Sequence, residues 1–231
     1  MFTKLPNNTG IYGLSAANPT ESSWGTYCSP DDVVQGKHVG SCLGDLFSVN
    51  FIEDIDSGNV FESLNEQFKI IKTKTSLSHV MQWGDLSFQD DKVADYVSGP
   101  RLSTNLRSIK PIRRVGEKIT EAAKMNSRTM KFQSLSAIYA REKSPIIFKE
   151  MMEEMTSMAN YDSTFSKFDT TLKLTGNYDA ENINFECLRT SIDTYEAKCG
   201  KFTDYGLMFA KNFAEACEKF SVEEIAKTIS C

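Results

Sequence analysis

Ser15 to Cys28 reads SAANPTESSWGTYC: a short apolar run, a proline turn, an acidic residue, two serines, a tryptophan and a glycine. That composition suits one wall of a binding pocket better than a catalytic apparatus, so the residues able to do chemistry are sought elsewhere. The six cysteines are Cys28, Cys42, Cys187, Cys199, Cys217 and Cys231, and the two histidines are His38 and His79. No Cys-x-x-Cys pair occurs, and two histidines are too few for a zinc site of ordinary spacing, so neither a metal nor a cofactor is expected. The thiols are either six buried free cysteines or three disulfides formed in an oxidising compartment.

Geometry separates the two for the last four. Ile183 to Cys199 contains no Gly or Pro, and its apolar positions recur at helical spacing. On one helix Cys187 and Cys199 would stand about 18 Å apart, too far to bond each other. GKFTDYG then interrupts the helix and LMFAKNFAEACEKF starts another. In an antiparallel hairpin centred near Phe202, Cys187 and Cys217 face each other, which leaves Cys199 for Cys231. Cys28 and Cys42 flank SPDDVVQGKHVGS, a loop rich in turn residues. A bridge closing it would contribute roughly 3 kcal/mol in the chain-entropy account. The sequon Asn7-Asn8-Thr9 adds a glycosylation site to the case for an oxidising lumen. MFTKLPNNTG has no apolar core of a leader peptide, so a leader is expected upstream of this chain.

These residues must be positioned by a chain of 231 residues, 40% hydrophobic and 25% charged, the profile of a globular protein. Net charge is −5, which argues against general nucleic-acid binding. No apolar run approaches the roughly 18 residues of a membrane span. From Gly10 to Asp85 the reading is mixed α/β: GIYGLSAAN and SHVMQWG as short strands, DLFSVNFIEDI as a helix that Asp45 could cap, and Val60, Phe61, Leu64, Phe68 and Ile71 as the apolar stripe of another. Alternation of strands and helices predicts a parallel sheet. From Val115 every segment reads as helix, with Pro145 in a first turn and Met151, Met152, Met155 and Met158 packing a core. Between Arg101 and Lys143 eleven Lys/Arg stand against three Glu, a local +8 that leaves −13 on the remainder. Lacking interleaved aromatics, this segment reads as one that docks on an acidic surface rather than on nucleic acid.

LPNNTGIYGLSAANPTESSWGTYC, CLGDLFSVNFIED and SHVMQWGD, in that order and spacing, resemble the legumain family of asparaginyl endopeptidases, or vacuolar processing enzymes. SIKP, MNSR and the cysteines around KFTDYG resemble that family's activation segment and prodomain. The resemblance implies a partial caspase-like α/β sheet with flanking helices, followed by an all-α prodomain. It places the C-terminal part of the peptidase domain at 1–92, a linker at 93–115, and the helical activation segment and prodomain at 116–231. It assigns Ser23 and Asp45 to the S1 pocket, Ser22 and Trp24 to the border of the substrate backbone, and Asn126 to the processing region. An Asn side chain offers an NH₂ donor that Asp45 can accept. The family's Cys–His dyad, with its nucleophile in an E-A-C-x-S-G-S run, would lie upstream of Met1, and His79 matches a strand residue instead.

The expected function is therefore the C-terminal portion of an acid-activated precursor that cleaves after Asn in a lysosomal or vacuolar lumen. Its expected partners are peptide substrates and its own N-terminal catalytic segment, with neither nucleic acid nor membrane. The alternative is a non-catalytic inhibitor or binding protein on the same scaffold.

Overall fold

Two serines set the clearest helix starts, one in each half of the chain. Ser63 accepts from the Glu66 amide while the Glu66 carboxylate takes the Ser63 N–H, and Ser221 and Glu224 repeat that reciprocal cap. The computed structural model describes residues 2–58, 61–97 and 123–231. It divides into two units, Met1–Asn126 and Ser127–Cys231.

In the first unit, β1 (Tyr12–Ser15) pairs antiparallel with β6 (Met81–Gly84), Tyr12 opposite Gly84. Gly84 has a φ of +82°, and a Cβ there would lie 2.3 Å from the Ile11 carbonyl oxygen, so only glycine fits. β2 (Trp24–Thr26) lies between β5 (Gly44–Asp45) and β7 (Met125–Asn126), antiparallel to both. β3 (Val33–Val34) and β4 (Lys37–His38) form a hairpin whose turn residues Gln35 and Gly36 both take positive φ, the backbone of a type I′ turn. α1 (Leu46–Asp56) begins at Asp45, whose side chain accepts from the Ser48 amide. α2 (Leu64–Lys74) packs on α1, and a short α3 (Ala94–Val97) follows β6. Ile71, Val80 and Val93 are buried in this unit.

Every strand pairing among the described residues is antiparallel, which corrects the parallel sheet expected from alternation. A single helix between two strands returns the chain parallel. Here β5 and β6, which flank α1 and α2, lie in different sheets and do not pair, so no strand–helix–strand unit forms among the described residues. α2 begins at Leu64, so Phe61 precedes it and stays 65% exposed, while Val60 lies outside the described residues.

The second unit holds α4 (Met130–Glu142), α5 (Pro145–Leu172), α6 (Phe185–Cys199), α7 (Ala210–Lys219) and α8 (Val222–Thr228). Phe165, Phe168 and Leu172 of α5 meet Tyr195, Phe213 and Ile225 in one aromatic core. Stacked rings fill it: Phe165 lies 4.6 Å from Phe209 and Tyr195 lies 4.5 Å from Phe202. Cys187 is bonded to Cys217 and Cys199 to Cys231, the partners a hairpin about Phe202 requires; Cys28 is bonded to Cys42 in the first unit.

Two helical expectations change. Met125–Asn126, inside a run read as helix, is strand β7, because β2 offers an unfilled ladder edge that outweighs local propensity. The methionines of α5 do not build a core: Met152 and Met155 are exposed, and the buried member of that stretch is Glu154, paired with Lys131. The core instead gathers where α5 carries its three phenylalanine and leucine positions, one helical turn apart.

Candidate functional site

The residues singled out in the first unit converge on β2. Ser22 and Ser23 form the approach to the strand, Trp24 opens it, and Gly25 lies opposite Asp45 on β5. On the other side Trp24 lies opposite Asn126. Trp24, Asp45 and Asn126 thus share one three-stranded sheet although they are separated by up to about a hundred positions. Side chains alternate across a strand, so Asn126 shares a face with Trp24, while Asp45 belongs to the face of Gly25 and Met125.

Asp45 acts as a helix cap. Its Oδ1 accepts from the Ser48 amide at 3.0 Å and from the Ser48 hydroxyl at 3.2 Å, satisfying donors that the first turn of α1 leaves open. A carboxylate so held is pre-oriented at the end of β5 and able to accept a further N–H, as a substrate amide would require.

β7 is fastened through the disulfide loop. The Cys28 amide donates to the Ala123 carbonyl at 3.0 Å, and the Ala123 amide donates to Asp31 Oδ2 at 3.1 Å. Inside the loop, buried Asp32 meets His38 Nδ1 at 2.7 Å and accepts from the Gly40 amide at 2.7 Å. The other histidine, His79, precedes β6 and faces Glu21. Burial pushes the Glu21 carboxyl up, but the Asn18 amide and the His79 side chain and amide together hold it below the usual carboxylate range. Glu21, Asp31 and Asp32 escape a sequence reading. Asp31 and Asp32 carry the signal of acidic residues in a turn after a cysteine, whereas the partner of Glu21 lies 58 positions away.

An apolar cavity of about 790 Å³ opens on another part of this unit, lined by Tyr12, Leu14, Phe47, Phe51 and Tyr96 among others. Its polar side chains are those of Tyr12, Ser48, Gln67 and Tyr96. All six cysteines are bonded, so none supplies a thiolate. Asn7 is exposed in a turn, and the Thr9 hydroxyl of its sequon donates to the Pro6 carbonyl. The basic residues from Arg101 to Lys118 lie outside the described residues.

A mixed α/β unit with two serines leading into β2, followed by a disulfide-braced helical unit, makes up a two-part architecture. Residues 1–135 match the peptidase C13 family, and residues 170–231 match the legumain prodomain. The chain belongs to the peptidase C13 family and carries a legumain-type prodomain. It is 28% identical to a vacuolar-processing enzyme of Vicia sativa over 92% of this chain and 48% of that protein. A vacuolar-processing enzyme of Glycine max is 27% identical over 98% of the chain and 50% of its own length. The vacuolar-processing enzyme beta-isozyme 1 of Oryza sativa subsp. indica is 26% identical over 92% and 46%. The chain thus spans about half the length of the curated relatives it matches. No helix among the described residues is long and apolar enough to cross a membrane.

Proposed function

We propose that this chain is the C-terminal portion of an asparaginyl endopeptidase precursor, contributing part of the substrate pocket and the prodomain to an enzyme whose nucleophile and general base come from a preceding catalytic segment. The observation that carries it is the fate of the cysteines: in a cysteine-peptidase family, every thiol of this chain is committed to a disulfide. Cysteine catalysis needs a thiolate beside a base, so the attacking group belongs to another stretch of polypeptide. Support for a partner segment comes from the apolar cavity beside β1, whose rim leaves Ile11, Ile52 and Tyr96 more than half exposed.

In this reading Ser23 and Asp45 recognise the Asn side chain, with Asp45 accepting from its NH₂, and Ser22 and Trp24 line the substrate backbone. Asn126 is the processing residue, since its strand lies against Trp24 and its type is the one the enzyme cuts. Residues 1–92 serve as peptidase, 93–115 as linker and 116–231 as activation segment and prodomain, with the basic residues strapping the latter to acidic ground. Three disulfides and the Asn7 sequon fit a secretory route to a vacuolar or lysosomal lumen.

The test uses the purified 231-residue chain and an Asn-containing peptide at acid and neutral pH. No cleavage is expected from the chain alone, and acid-dependent cleavage after Asn is expected once it is expressed with a preceding segment carrying the dyad. Cleavage by the chain alone, blocked by a thiol reagent, overturns the reading. Inhibition of an active relative by the chain, with no rescue by the preceding segment, points instead to an inhibitor.

A further inference from the structure

Ser22 and Ser23 lie between two fixed points. Downstream, Trp24 is held in β2 by β5 and β7. Upstream, the chain leaves β1 at Ser15 and crosses the Asn18-Pro19-Thr20 turn, in which Asn18 Oδ1 accepts from both the amide and the hydroxyl of Thr20 at 2.9 Å. Glu21 closes that turn and anchors it. Its Oε1 accepts from the Asn18 amide at 2.9 Å and from the His79 amide at 2.6 Å, and its Oε2 meets His79 Nδ1 at 2.8 Å. Both oxygens are used, on partners from two elements. The side chain is 24% exposed, against 72% for His79, so the carboxylate is the sheltered centre of the contact. Two further bonds fix the same seam: the Ser78 hydroxyl to the Ala16 carbonyl at 2.6 Å, and Trp83 Nε1 to the Ser15 hydroxyl at 2.8 Å.

We propose that Glu21 is the positioning residue of the substrate wall, setting Ser22 and Ser23 against β2 by tying their approach to His79; this rests on the substrate-binding reading of those serines. Glu suits the task because one carboxylate accepts from two amides on one oxygen and a ring N–H on the other. A wall held in advance spares the substrate the ordering of a loop, so the benefit falls on binding rather than on the chemical step. His79, which lies outside the sulfur chemistry of the family, has its role here: its main chain and ring are the two far anchors.

The first measurement needs no activity. The chain has two tryptophans, Trp24 and Trp83. Labelled with 5-fluorotryptophan, it gives two ¹⁹F resonances, assigned with Trp83→Phe. Glu21→Ala should shift or broaden the Trp24 resonance while circular dichroism is unchanged, and Glu21→Gln, which keeps an acceptor for the amides, should recover much of the native signal. His79→Ala removes the ring but not the amide and should fall between them. An unmoved Trp24 resonance in folded Glu21→Ala overturns the brace.

The second measurement uses the chain joined to a preceding catalytic segment. Glu21→Ala should raise KM for Asn peptides about tenfold, the loss of one or two charge-assisted hydrogen bonds, with kcat little changed and partial rescue by Glu21→Gln. A lowered kcat at constant KM, or no kinetic change, overturns the proposal. If the joined wild-type protein does not cleave after Asn while the Trp24 resonance still responds, the brace stands and the endopeptidase reading fails.

Discussion

Glu215 shows how much one side chain decides in the helical unit. It is 1% exposed, yet accepts from the Thr175 amide at 2.8 Å, the Thr175 hydroxyl at 3.1 Å and the Gly176 amide at 2.8 Å, and pairs with Lys219 at 2.8 Å. It thereby fastens the turn after α5 to α7. Burial pushes its carboxyl up, but Lys219 and the Thr175 and Gly176 donors hold it below the usual carboxylate range. A depressed carboxyl adds stability that is present above its unfolded value and lost as pH falls through the folded one. Glu215→Ala should cost about 2–3 kcal/mol at neutral pH, measured by urea unfolding, because it removes the carboxylate shared by the Thr175 and Gly176 amides and Lys219. For Glu215→Gln the deficit relative to wild type should shrink in acid; a deficit that grows below pH 4.5 would contradict the sign argued here. Asp45 carries a milder expectation. Asp45→Ala should lower stability by about 1 kcal/mol through the lost cap, and in the joined enzyme it should remove the preference for Asn. Near-normal preference would leave Asp45 as a cap alone. That cap is legible in the sequence, since GDLFSVN places an acidic residue before an apolar helix. Glu215 is not, because the turn it fastens, Thr175 and Gly176, lies some 40 residues back.

At the level of elements, the junction of α1 and α2 gathers carboxylates. Glu62 precedes the cap of α2, Asp54 is fully buried in the last turn of α1, and Lys74 reaches Asp54 at 3.6 Å from the end of α2. Burial, with Asp54 and then Glu66 beside it and Lys74 opposing, pushes the Glu62 carboxyl up to about 7. A raised carboxyl stabilises the fold fully below its unfolded value and loses that contribution as pH rises through the folded one. The first unit should therefore lose this contribution between about pH 4.5 and 7. Thermal midpoints of Glu62→Gln against wild type should converge in acid and separate in favour of the variant above pH 7. Equal separation at all pH values would mean that Glu62 titrates normally. Of the helix starts, Pro145 at a first turn stands where the sequence puts it, whereas the apolar stripe from Val60 overruns the cap at Ser63, which with Glu66 fixes the start of α2. The sheet was less readable. Two-residue strands such as β5 and β7 are too short for alternation to register, and the strand each joins is chosen by tertiary contact rather than by any local pattern.

Across the whole molecule, legibility follows distance along the chain and covalent chemistry. The serines, Asp45 and the cysteines announce themselves by type and spacing, and the disulfide partners follow once two helices and the break between them are placed. The seam at Glu21 and His79 and the strand at Met125–Asn126 are tertiary choices, made by contacts that no window of ten residues contains. In the helical unit the bridges close loops of 30 and 32 positions, each contributing roughly 3–4 kcal/mol in the chain-entropy account. Reduction under native conditions should therefore lower the unfolding midpoint of this unit well before its aromatic core is altered, as followed by near-ultraviolet circular dichroism. An unchanged midpoint after full reduction would show that Phe165, Phe213 and their neighbours suffice.

The disulfides also have a topological consequence. Cys28–Cys42 lies wholly before Asn126, and both other bridges lie wholly after it, so no sulfur crosses that point. Hydrolysis of the Asn126–Ser127 bond would therefore be a complete severance, leaving two polypeptides that share no covalent tie and can diffuse apart. On a non-reducing denaturing gel the cut chain should run as two bands, each still internally cross-linked, and adding reductant should change their mobility but not their number. Release of the helical piece would then be governed only by non-covalent affinity, and dilution would favour it.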